Sequence, residues 1–250
     1  MSLLDFGWLE TVLLAGVRIV AFLIVAPPFS HGAIPTRIRV ILALGLAIAV
    51  APTLPGQQPL DTGAFIETIV MQVIVGLALG FLIQLAFAAL QSAGGLIDLF
   101  GGFQLAQGYD PQSLVNGAQF TRLFQITAIA LLFTTNGYQM VVAGITRSFT
   151  AIPVAGIPNF SLTAEALIRG FSQMFLASVQ IAGPLILVLF LADAGLGLLT
   201  RVAPALNAFS LGYPLKILIT ISFAGVVYVL LPGVVSSVLQ SGMGLLGSVG

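Results

Sequence analysis

The sequence predicts an all-α integral membrane protein with about six hydrophobic segments. Three observations lead there. The first is charge: Asp, Glu, Lys and Arg make up 6% of the 250 residues. A soluble domain carries about 25%, and so few charges would not cover the surface of a water-soluble globule. The second is apolarity: 58% of residues are hydrophobic and the mean hydropathy is +1.13. The third is distribution. Charge-free windows run over 19–36, 40–60, 68–97, 123–146, 170–192 and 217–250. A crossing helix needs about 20 residues to match a core of about 30 Å. Together these exclude a cytosolic enzyme, a disordered chain and a coiled coil.

With their flanks, the windows predict helices near 8–27, 37–52, 64–92, 119–144, 166–200 and 206–240, in one membrane-embedded domain over 1–250. The first ten residues, MSLLDFGWLE, hold Asp5 and Glu10 and no base, so they lack the positive region of a signal peptide. Arg18 sits in the middle of the first helix. Each nearby Leu, Ile, Phe or Val favours insertion by about 0.3–0.6 kcal/mol, while a central Arg costs about 2.5–3.5. That balance is near zero, so the segment needs a protein neighbour. Pro27-Pro28 ends it, and Pro35 precedes the short second helix, which Pro52, Pro55 and Gly56 close. The third and fifth segments are long enough to tilt or to project beyond the bilayer. Pro153, Gly156 and Pro158 form the loop between the fourth and fifth, and Pro204 opens the last block. Proline in a helix interior removes a hydrogen bond and clashes with the preceding turn, so kinks are expected at Gly183-Pro184 and Pro232-Gly233. Val-Ala-Pro occurs at 25–27, 50–52 and 202–204, which chance explains in this composition. Loops one, three and five carry five basic residues against two in loops two and four, which favours both termini outside the cytoplasm.

The inventory of reactive groups is thin. Eight bases balance eight acids, without a Lys/Arg block, which argues against nucleic acid as a partner. Cysteine is absent, so disulfides, thiolate metal sites and a Cys nucleophile are excluded. His31 is the one histidine, in the loop FSHGAIP; with no cysteine and no nearby carboxylate it reads as a loop residue. The G-x-S-x-G nucleophile elbow does not occur. Asp98, Asp110 and Asp193 could serve a two-aspartate hydrolase only if two shared a site. Arg18, Glu67, Asp98, Asp193 and Lys216 lie in or near apolar runs. Such charges are costly and mark either buried pairs or ion paths. Asp193 with Arg201 or Lys216 is the candidate structural pair. Gly76-x-x-x-Gly80 is a close-packing signature, within this chain or against another subunit.

The segment 94–119, GGLIDLFGGFQLAQGYDPQSLVNGAQ, stands apart. It holds two Gly-Gly pairs, the turn starter Asp110-Pro111 and the amides Gln104, Gln107, Gln112, Asn116 and Gln119. One reading is a solvated loop between hairpins. The other is an uncharged polar loop that lines or closes an aqueous path, since backbone that leaves the helix at membrane depth must be buried in protein or face water.

Over most of its length the chain resembles the FliR family, the R-type (or T-type) subunit of the export gate in flagellar and injectisome type III secretion. The most specific stretch is LADAGLGLLTRVAPALNAFSLGYPLK at 191–216, through Asp193, Gly197, Arg201, Pro204, Asn207, Phe209, Gly212, Pro214 and Lys216. A second runs over 93–111, with Ala93-Gly94, Asp98, Gly102-Phe103, Ala106 and Asp110-Pro111. A third is N-terminal: Arg18, Pro27, Phe29-Ser30, Pro35, Arg37, Arg39 and Ala51-Pro52.

The resemblance implies a non-enzymatic, cofactor-free, pore-forming structural subunit in the bacterial inner membrane, at the flagellar basal body. It implies P-type and Q-type gate subunits as partners, with the B-type switch subunit and the A-type export subunit of the same apparatus. Unfolded proteins would pass through the pore, driven by the proton motive force and a cytoplasmic ATPase. Residues Gln104, Leu105, Gln107, Tyr109, Asp110, Pro111, Gln112, Asn116 and Gln119 would belong to a pore plug. Arg18, Glu67, Asp98, Asp193, Arg201 and Lys216 would serve as structural or inter-subunit charges. The helices would form hairpins in a hetero-oligomeric gate, much of it above the bilayer plane, so six segments need not be six crossings. The competing reading is a stand-alone secondary transporter of a small solute or ion, with Asp98, Asp193 or Glu67 as coupling carboxylate. That architecture expects internal pseudo-repeats, and the sequence contains none that we find.

Overall fold

A computed structural model describes residues 6–30, 32, 34–54, 60–103, 119–156, 158–203 and 208–247. Among them all regular structure is helical. The helices are α1 (Phe6–Val25), α2 (Thr36–Val50), α3 (Thr62–Gly101), α4 (Gln119–Thr134), α5 (Gly137–Ala151), α6 (Phe160–Val202) and α7 (Ala208–Gly247). A 3-10 turn, Ala51–Thr53, extends α2. By length and apolarity α1, Thr36–Thr53, α3, α6 and Leu211–Val229 of α7 can each cross a membrane. The broken pair α4 and α5 supplies a sixth only if it acts as one span.

Local chemistry explains the boundaries. Pro35 stands at the N-cap of α2, where its missing N–H is no loss. Asn159 opens α6 earlier than expected: its Oδ1 accepts from the amides of Ser161 (3.1 Å) and Leu162 (3.3 Å), satisfying orphan donors of the first turn. Two expectations need correction. The third helix does not stop near 92. It continues to Gly101: Gly94 serves close approach to the start of the next helix rather than a turn, so Asp98 is a helical residue. The fourth does not run unbroken over 119–144. It is interrupted after Thr134, where Asn136 adopts a left-handed conformation (φ 57°) at the N-cap position of α5, without a side-chain cap bond. Asn tolerates that region better than most residues, and Asn-Gly is a turn dipeptide. Across Gly183-Pro184, Pro214 and Pro232-Gly233 the helices α6 and α7 remain single elements.

The described residues fall into two compact units. One lies within Met1–Ala86, Thr135–Phe171 and Leu239–Gly250, the other within Phe87–Thr134 and Ser172–Val238. In the first, Leu14, Ile19, Phe22, Leu79, Leu82, Ile83 and Ile145 are fully buried. There α1 packs closely on α2 and on α3. Gly16 meets Leu44 and Ala47 of α2. A Cβ on Gly80 would stand 2.8 Å from the Phe22 carbonyl oxygen, and one on Gly76 would collide with the Arg18 carbonyl. The Gly76–Gly80 signature therefore serves contact between α3 and α1 within the chain. In the second unit the buried side chains include Ile97, Phe124, Leu132, Leu185 and Leu189.

Candidate functional site

In the second unit the end of α3 and the start of α4 form a neck built around Asp98. Its carboxylate is fully buried. Oδ1 accepts from the Phe120 amide at 2.9 Å; Oδ2 accepts from the Thr121 amide and from Thr121 Oγ1, both at 2.9 Å. These are first-turn donors of α4, which have no partner inside their own helix. The negative charge faces the positive end of the helix dipole, so Asp98 caps a helix that begins 21 positions later in the chain. Close approach makes this possible: a Cβ on Gly94 would fall 2.7 Å from the Phe120 carbonyl carbon and oxygen. The Phe103 amide donates to the Asp98 carbonyl at 3.0 Å. The Phe103 ring meets Phe120 edge-on, with centroids 5.3 Å apart. Gly102, at φ +82°, turns the chain out of α3 against the Tyr213 ring.

Of the expected plug residues, Gln104, Leu105, Gln107, Tyr109, Asp110, Pro111, Gln112 and Asn116 lie outside the described residues, as does His31. Gln119 opens α4 and is exposed.

Arg18 occupies the first unit, at 0% exposure. Its Nε donates to Gln72 Oε1 at 2.6 Å, and its Nη1 donates to the carbonyl and hydroxyl oxygens of Ser148 at 3.1 and 3.3 Å. The guanidinium lies over the Phe149 ring, 4.3 Å from the centroid, a geometry that favours a desolvated cation. Gln72 in turn donates to the Val154 carbonyl at 2.7 Å. Nη2 has no hydrogen-bond partner among the described residues. So α1, α3 and α5 are joined through a buried cation whose neighbours here are an amide, a hydroxyl and a ring, not a carboxylate. Sequence reasoning that paired charges with charges missed Gln72 and Ser148. The available signal was Gln72 itself, one of three glutamines in the charge-free run 68–97.

The remaining charges are more open. Lys216 Nζ lies 2.7 Å from Asp193 Oδ2, with side-chain exposures of 20% and 47%. This joins α6 to α7 through one of the two pairings the sequence offered. Arg201, the other, is exposed in the last turn of α6 and makes no ion pair among the described residues. Glu67 is exposed on α3, also without one. Gly197 stands in open space, while Gly212 is buried near Leu196. Pro214 is an exposed residue inside α7, and Pro204 and Asn207 lie outside the described residues. Around the Asp193–Lys216 pair the surface is strongly apolar: Leu187, Phe190, Leu191, Leu198, Leu218 and Ile221 are each about 60% exposed or more. Such surface must be covered by lipid or by protein.

Comparison with known proteins fits this picture of an apolar helical chain made to be covered. The model of the family described as bacterial export proteins, family 1, matches residues 9–242. The flagellar biosynthetic protein FliR of Escherichia coli (strain K12) is 34% identical over 217 residues, covering 86% of this chain and 83% of its own. FliR of Bacillus subtilis (strain 168) is 34% identical over 249 residues and 95% of each. The Yop proteins translocation protein T of Yersinia pestis is 30% identical over 212 residues, 80% of this chain and 78% of its own. With the match running nearly end to end, the chain belongs to family 1 of the bacterial export proteins.

Proposed function

We propose that this chain is a pore-forming structural subunit of a type III protein export gate. It sits in the bacterial inner membrane at the flagellar basal body and passes unfolded proteins outward. The observation that carries this is the alignment with a flagellar FliR protein over 95% of both chains. The exposed apolar faces of α6 and α7 support it, since a subunit enclosed by others needs such surface. Its partners are other components of the export apparatus. The finer assignment is to P-type and Q-type subunits in the gate, with the B-type switch and A-type export subunits beside it. Flagellar use rests on the FliR proteins of Escherichia coli and Bacillus subtilis, each 34% identical; other FliR proteins, at 26–33%, overlap the 30% of the translocation protein T.

Within this reading, residues Gln104–Gln119 act as the plug of the resting pore. Their amides offer hydrogen bonds without fixed charge, so cargo of varied charge is not trapped. Arg18, Asp98, Asp193 and Lys216 serve packing inside the chain, and exposed Glu67 and Arg201 meet neighbouring subunits. Two experiments test it. Deleting the chain from its own cell should abolish secretion of flagellar proteins without lowering their synthesis; undiminished secretion would overturn the reading. Shortening the loop 105–117 should let ions leak through a gate that still assembles, and an unchanged conductance would remove the plug.

A further inference from the structure

We propose that Asp98 is a clasp, a positioning residue that holds both ends of the segment 104–118 at one neck. The inference rests on the plug reading above but uses only residues outside that segment. One residue holds both ends. Its backbone carbonyl takes the amide of Phe103, where the chain leaves α3, and its carboxylate takes the first-turn amides of α4, where the chain returns. Phe103 and Phe120 close the neck with an edge-on ring contact, and Gly94 leaves out a Cβ that would fall 2.7 Å from the Phe120 backbone. Among the described residues the carboxylate makes no ion pair, and its partners there are the α4 donors. Fixed ends limit where the intervening chain can go.

The donor geometry separates a clasp from an ordinary helix cap. At a usual N-cap, Asn serves about as well as Asp. Here both carboxylate oxygens face backbone N–H groups, Oδ1 toward Phe120 and Oδ2 toward Thr121. An Asn side chain has one acceptor oxygen, and its NH2 would confront the other N–H. Backbone donors do not reorient, so Asp98→Asn should fail where a simple cap would tolerate it.

The test uses the assembled gate purified with its own partner subunits. Amide exchange and ion conductance are read for D98N, T121V and a deletion of 105–117 alongside the unaltered gate. D98N is expected to speed exchange at Phe120 and Thr121 by about tenfold or more, the scale of a lost charge-assisted hydrogen bond. Exchange at Ala128 and Leu132, deeper in α4, should not change, and the resting gate should leak. T121V keeps both amide bonds and loses only the hydroxyl, so it should assemble normally and leak less than D98N. If D98N fails to assemble, T121V carries the test, and its exchange and conductance must then lie measurably above those of the unaltered gate. A tight D98N or T121V gate beside a leaky deletion would overturn the clasp and leave the plug standing. A deletion that does not leak would overturn the plug and the clasp with it. Unchanged exchange at Phe120 and Thr121 in D98N would overturn the clasp on its own.

Discussion

Replacing Arg18 separates shape from charge in the first unit. Removing its side chain leaves few partners stranded. Ser148 Oγ still donates to the Ile145 carbonyl at 2.7 Å, and the Ser148 carbonyl still accepts the Ile152 amide at 2.8 Å. Only Gln72 Oε1 loses its donor, an unpaired buried acceptor worth about 1–3 kcal/mol. Arg18→Ala also empties a fully buried site, and large-to-small changes in a core cost about 2–5 kcal/mol. Against this stands relief of the unpartnered Nη2, about 1–3 kcal/mol. The two 1–3 kcal/mol terms offset each other, so the net loss for R18A is that of the cavity, about 2–5 kcal/mol. Arg18→Met fills the same volume with an apolar side chain, so the cavity cost disappears. Its remaining costs and gains nearly cancel, within about 2 kcal/mol of zero. Arg18→Lys keeps the charge but cannot reach Gln72 and Ser148 at once or stack flat on Phe149, so it should fall between the two. The assay is the thermal melting midpoint of the assembled gate in mild detergent, expected to be similar for the unaltered gate and R18M, lower for R18K and lowest for R18A. Equal midpoints for R18M and R18A would refute this reasoning, because the positive charge itself, not the filled three-helix junction, would then be what the protein needs.

Other positions give independent tests. Gly94→Ala should sharply reduce recovery of the assembled complex, since its Cβ would meet the Phe120 backbone at 2.7 Å. Gly183→Ala, with nothing within 4 Å of its Cβ, should be neutral or raise the melting midpoint by the roughly 0.5–1 kcal/mol that Ala gains over Gly in a helix. Lys216→Met should cost more than the double variant Asp193→Asn with Lys216→Met, because the single variant leaves Asp193 without its cation; additive effects on the midpoint would count against coupling in the pair. Asn136→Gly should be tolerated at φ 57°, whereas Asn136→Val should cost about 1–2 kcal/mol for a left-handed β-branched residue, read as a lower melting midpoint.

How much could be read in advance depended on the range of each interaction. Hydrophobic runs gave the helices because burial in lipid or protein acts along the chain, residue by residue. The insertion arithmetic at Arg18 marked a helix unable to stand alone, and the side chain is fully buried in protein. Its partners were not legible: Gln72 and Ser148 lie 54 and 130 positions away, and neither carries a charge to attract notice. Asp98 was visible as a charge beside an amide-rich stretch. Capping signals are sought within three residues of a helix start, so a carboxylate that caps α4 from the end of α3 escapes any local scan. The break at Asn136-Gly137 was legible and passed over, because an uncharged Thr-Thr-Asn-Gly does not interrupt a hydropathy window. Gly94-Gly95 misled in the opposite direction. Glycine pairs suggest a turn, yet here the side chain missing at Gly94 lets two helices touch.

The most direct test of the central claim is native mass spectrometry of this chain, tagged and extracted mildly from its own membrane. The export-gate account predicts a large particle with this chain beside several copies of P-type and Q-type subunits, their surfaces covering the exposed faces of α6 and α7. A stable, well-folded lone chain or a small homo-oligomer would contradict it.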